Sequence, residues 1–79
     1  SAEERATEYL MFALRLTEGA SLGRFADLAG TPLDENALNE MVSLGFLQRD
    51  RDTVRTTETG VLVLNGVLRA LLVDRRSTV

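Results

Sequence analysis

Cysteine, histidine, lysine and tryptophan are all absent from this 79-residue chain. Without cysteine or histidine it can hold no thiolate or His-ligated metal. A Ser-His-Asp triad, a cysteine nucleophile and histidine acid–base work are excluded on the same ground. No cofactor, metal or catalytic residue is therefore expected within the chain. The lack of disulfides fits a reducing compartment, and the expected localisation is cytoplasmic. Without lysine, all nine basic residues are arginine, set against twelve acids for a formal charge of −3. That balance runs against the basic footprint of a nucleic-acid binder. Long apolar runs are missing too: Val61 to Leu64 is far too short to span a bilayer. The polar start, Ser1 to Arg5, carries no targeting pattern, so no membrane partner is expected. A chain of this size buries only about 60–65% of its unfolded surface, which makes one small core. It begins with Ser1 rather than Met. The expectation is one domain over residues 1–74, excised from the C-terminal end of a larger protein, with a flexible tail over 75–79.

What is present divides into four helical segments and one ribbon. The first runs from about Ala2 to Thr17. At 100° per residue, Ala6, Tyr9, Leu10, Ala13, Leu16 and Thr17 fall on one core stripe. Met11, Phe12, Arg15 and Glu18 lie on the other side, and Gly19 suits a helix-ending C′ position. The second segment runs from Ser21, a good N-cap, to Ala29, with Leu22, Phe25, Ala26 and Ala29 on one face and Gly30 as the stop. The third runs from its cap Asp34 to Leu44, with Ala37, Leu38, Met41 and Val42 pointing inward and Gly45 ending it. Two helices joined by a tight turn make the helix-turn-helix pattern.

The period then changes. Phe46 to Arg49 and Thr53 to Thr56 read as short strands around a polar tip, Asp50-Arg51-Asp52. The fourth helical segment runs from its cap Thr57 to Val73. Its apolar positions cover more than about 200° of the circumference, well beyond the stripe of about 100° that a small domain needs. Gly60 and Gly66 lack the strand-to-helix turn of a phosphate loop, so close helix packing is expected. Helix-helix-helix-hairpin-helix is a mainly α, winged-helix-like arrangement with a small β-hairpin.

The winged helix suggests DNA binding, but the residues oppose it. Between Asp34 and Leu44 there is no arginine, and Asp34, Glu35 and Glu40 would repel phosphates. In the ribbon Asp50 and Asp52 alternate with Arg49 and Arg51. The apolar excess has two readings. Met11, Phe12 and the extra hydrophobes of segment four wrap into the core, with Arg15 paired to Glu8 or Glu18; or they form a patch that docks on another domain. The second is the adopted expectation.

Three stretches carry a further likeness. They are Glu8-Tyr9-Leu10-Met11-Phe12-Ala13-Leu14-Arg15-Leu16-Thr17-Glu18-Gly19, then Gly45-Phe46-Leu47, then Thr57-Glu58-Thr59-Gly60 leading to Asn65. In this order they resemble the C-terminal domain of the oxygen-independent coproporphyrinogen III oxidase family, radical SAM proteins that include haem-chaperone relatives. The likeness covers about Glu8 to Leu72, with Thr56 standing where such proteins often carry Leu. The resemblance implies a parent protein active in porphyrin biosynthesis or haem delivery. Its upstream barrel would hold a 4Fe-4S cluster on a C-x-x-x-C-x-x-C motif and use S-adenosylmethionine. The present chain would be a non-catalytic cap on that barrel, shaping its substrate side. Chemistry alone adds that Met11, Phe12, Arg15, Glu18 and Gly19 could face the barrel or a ligand, with Arg15 meeting a tetrapyrrole propionate. The alternatives are a stand-alone winged-helix DNA binder and a protein-interaction module.

Overall fold

Helix starts follow the caps that the sequence offers. In the computed structural model, which describes residues 1–73, Ser1 caps α1 (Ala2–Ala13) with a capping box closed by Glu4. Ser21 caps α2 (Leu22–Ala29) by accepting from the Arg24 N–H, and Gly30 ends it. Asp34 caps α3 (Glu35–Ser43) by accepting from the Asn36 N–H. Thr57 caps α4 (Glu58–Leu62), and α5 (Leu64–Val73) follows after a break at Val63. Between α1 and α2 lies β1 (Ala20–Ser21); after α3 come β2 (Leu47–Asp50) and β3 (Thr53–Thr56). Among the described residues the result is a mainly helical domain with five helices and a three-stranded antiparallel sheet of order β1-β3-β2. The order α1-β1-α2-α3-β2-β3 is that of a winged helix. The expected tail at 75–79, with Arg75-Arg76, lies outside the described residues.

Four expectations change. First, the sheet has a third strand. Ala20 and Ser21 pair with Val54 and Thr53, using an edge of β3 that β2 leaves free. Gly19 makes this approach feasible: its φ is +77°, and a Cβ there would lie 2.7 Å from the Val54 carbonyl oxygen. It serves the strand, not a helix cap. Second, α1 stops at Ala13 rather than Thr17, so Leu16 and Thr17 leave the stripe and are exposed, while Leu14 is fully buried. Third, the last segment is two helices, not one. Fourth, Val42 is exposed, whereas Ala37, Leu38 and Met41 point inward as expected. Strand limits also move by one residue: Phe46 precedes β2, and Asp50 closes it rather than belonging to the tip.

The core gathers one face of α1, α2, α3 and α5. Leu10 and Leu14 from α1 and its exit, Phe25 from α2, Leu38 from α3, Val54 from β3 and Val67 and Leu71 from α5 are fully buried. Among the described residues no polar side chain is buried, so the core needs no polar network. The partly buried Tyr9 adds a polar tie at its edge: its Oη accepts from the Ser21 N–H at 2.8 Å, and the Arg24 guanidinium lies 5.7 Å from its ring centroid. α4 is held by backbone contact. A Cβ on Gly60 would run into the Phe46 carbonyl, so this close approach is helix to loop and requires glycine. Gly66 has nothing nearby; the close packing expected there is not found.

Candidate functional site

On the face that would read DNA in a winged helix, Arg49 and Asp52 are engaged within the domain. Arg49 on β2 makes a two-pronged bond to Glu35 on α3, at 2.8 and 3.1 Å. The hydrogen-bonded guanidinium holds the Glu35 carboxyl below the usual carboxylate range, and Glu35 in turn raises Arg49. Asp52, at the wing tip, accepts from the Ser21 hydroxyl at 2.8 Å and the Gly23 N–H at 3.1 Å. Wing and helices thus tie one another down. Asp34, Glu35 and Glu40 give the α3 surface an acidic character, the wrong sign for a phosphate backbone.

A second region is built where α1 ends. Leu14 leaves the helix, and tight turns follow: Arg15 N–H donates to Phe12 O, Leu16 N–H to Ala13 O and Gly19 N–H to Leu16 O. β3 fastens this turn. The Leu14 carbonyl accepts from both the Thr56 N–H at 3.0 Å and the Thr56 hydroxyl at 2.8 Å. Arg55 donates from Nη1 to the Thr17 carbonyl at 3.2 Å, and from Nε and Nη2 to Gln48 Oε1 at 3.1 and 2.8 Å. Thr57 closes the far side, donating its hydroxyl to Gly45 O and accepting from Gly60 N–H. Between these parts opens a recess of about 450 Å³, lined by Arg15, Leu16, Gln48, Arg55, Thr57 and Glu58 among others.

The five residues singled out from sequence do not converge. Arg15 lines the recess; Met11, Phe12, Glu18 and Gly19 do not. Phe12 is 71% exposed and Met11 40%, so neither wraps into the core. Glu18 is exposed, and Gly19 serves β1. Neither Glu8 nor Glu18 pairs with Arg15: among the described residues Arg15 has no ion pair. The sequence reading missed Arg55 and Gln48. Their signal was the alternation in β3, which sends Arg55 away from the buried Val54, but the partner across the ladder needs the register Gln48↔Arg55.

Apolar exposure continues along α4. Leu62 is 84% exposed, and its neighbours Val61 and Val63 are exposed as well. Among the described residues no group of acids is placed to hold a metal ion, and no helix is long and apolar enough to cross a membrane. No curated protein and no solved structure matches the chain. One family model does: it is described as the HemN C-terminal domain and aligns with residues 1–63, from the first cap through α4. Over that span lie the turn, the recess and the exposed apolar residues, and the chain belongs to the HemN C-terminal domain family.

Proposed function

We propose that this chain is the non-catalytic C-terminal accessory domain, residues 1–74, of an oxygen-independent coproporphyrinogen III oxidase-like protein. It packs on the radical SAM barrel of the same polypeptide and shapes the substrate side. The single observation that carries this reading is the family match over residues 1–63. The parent works in the cytoplasm, as an oxidase of porphyrin biosynthesis or as a haem-delivery protein, and binds a tetrapyrrole. It uses a 4Fe-4S cluster and S-adenosylmethionine. The residues of this chain do not fit the cluster, because it has no cysteine; the ligands belong to the barrel.

Two features support docking. Phe12, Leu16, Val61 and Leu62 leave apolar side chains exposed, the kind of surface that a docking interface covers. The acidic α3 surface disfavours a duplex partner.

The test uses the complete gene product, prepared anaerobically. It is expected to hold an iron–sulfur cluster and to cleave S-adenosylmethionine. Amides of residues 11–17 and 60–63 should exchange more slowly than in a version whose barrel is unfolded by cluster removal. A cluster-free product, or salt-dependent duplex binding at this domain, would overturn the reading.

A further inference from the structure

Three of the chain's arginines have clear local roles, and their surroundings differ. Arg49 is neutralised by Glu35, and Arg24 lies over Tyr9. Arg55 is different. It is half-buried and fixed by three hydrogen bonds, all to neutral acceptors: Gln48 Oε1 twice and the Thr17 carbonyl once. Its geometry is settled while its charge is not. Arg15, the second guanidinium of the same recess, has no ion pair among the described residues. Glu58 lines the recess from the first turn of α4 but is ion-paired to neither arginine. Two guanidiniums and one carboxylate leave this recess one positive charge in excess on a chain whose formal charge is −3.

We propose that the recess between Arg15 and Arg55 receives a carboxylate side chain, Asp or Glu, from the domain on which this one packs. The inference rests on the docking reading above and names the polar anchor of that interface. One added carboxylate would bring the recess to neutrality. A guanidinium already held by neutral acceptors can accept it with little further ordering. The occupant is a protein side chain rather than a whole small ligand, because the recess is open to solvent and could cover only part of a molecule. Binding pockets for free ligands enclose most of the ligand's surface. Leu16, exposed at the rim, supplies the apolar contact that a protein surface would complete.

The test is hydrogen exchange on the complete gene product, with Arg15→Gln and Arg15→Glu. Among the described residues the exposed Arg15 side chain makes no ion pair, so both variants should keep the domain intact, which thermal unfolding checks. Exchange at the interface amides of residues 14–17 should rise roughly two- to fivefold in Arg15→Gln, as for loss of one partly exposed ion pair, and further in Arg15→Glu. Added salt should narrow the gap between wild type and variants. Arg55→Gln should act in the same direction, with thermal unfolding separating lost charge from a loosened turn. Unchanged exchange in both Arg15 variants overturns the inference, while slower wild-type exchange than in the barrel-unfolded version leaves the docking reading intact. Wild-type exchange equal to that of the barrel-unfolded version defeats the docking reading itself, and the inference with it. A fall in affinity for a free porphyrin tetracarboxylate, absent for its tetramethyl ester and without any change in exchange, would assign the recess to a ligand carboxylate and overturn the protein-side assignment.

Discussion

Two regions of this small domain treat their arginines in different ways. Around α3 and the wing, Glu35 holds Arg49, and Asp52 holds Ser21 and Gly23. Around the turn after α1 and along α4, the backbone is tied as firmly, through Leu14–Thr56 and Thr57–Gly45, but side chains are left over. Phe12 and Leu62 face solvent, and among the described residues Arg15 and Arg55 have no ion pair. The lesson is that a winged helix does not carry its function on a fixed face. In this domain Arg49 and Asp52, in the region used by DNA readers, are engaged internally, while among the described residues the arginines lining the recess have no ion pair.

The sharpest way to break the comparison is to truncate one phenylalanine from each kind of surroundings. Phe25 has no exposed surface, while Phe12 is mostly in water. Phe25→Ala should cost about 3–5 kcal/mol, enough to unfold a domain of this size. Phe12→Ala should change the stability of the domain itself by less than about 0.5 kcal/mol, because little packing is lost. Urea unfolding of the two variants checks this. A large loss in Phe12→Ala would mean that the outer side of α1 belongs to the core and is no docking surface.

The next effect concerns how α4 is seated. Gly60 lies against the Phe46 backbone, where an added methyl has no room; Gly66, one helix later, is open on every side. Gly60→Ala should destabilise by about 2–3 kcal/mol, since either α4 or the Phe46 segment must shift. Gly66→Ala should stabilise by about 0.5–1 kcal/mol through helix propensity alone. Thermal melts of the pair should therefore move in opposite directions. Equal shifts would mean that α4 is not seated on Phe46, and the recess would lose its far wall.

Much of this was legible from local chemistry. Ser21 and Gly30 bracket α2, and Asp34 starts α3, because caps are decided by residues within a turn of the helix end. The hairpin announced itself in Thr53-Val54-Arg55-Thr56. What stayed hidden depends on distant partners. Leu14-Arg15-Leu16 continues a helical pattern, and only the Thr56 bonds to the Leu14 carbonyl, made across 42 residues, show where the chain leaves it. β1 is two residues with no β-branched side chain, and its existence is decided by the β3 edge. The recess depends on distant partners too. Arg15 was noticed for its charge, but Arg55 and Gln48 join it only once β2 and β3 are in register and the turn is docked.

The smallest effect tests the self-satisfied region by pH. The Glu35 carboxyl sits below its ordinary value of 4.5 because Arg49 bonds it. A folded carboxyl lowered in this way stabilises the fold above its unfolded value, and the contribution is lost as pH falls through the lower, folded value. Wild-type protein should therefore lose more thermal stability between pH 7 and pH 3 than Glu35→Gln, which has no such proton to take up. The difference should be slight, since Glu35 is 64% exposed in the pair and surface bridges are weak. It should shrink further in high salt. Parallel melts at the two pH values decide it. Identical acid losses in the two proteins would mean that Arg49 is no better paired than Arg15 and Arg55. The contrast between the two regions would then fall, since the end of α3 also leaves Val42 and Leu44 exposed.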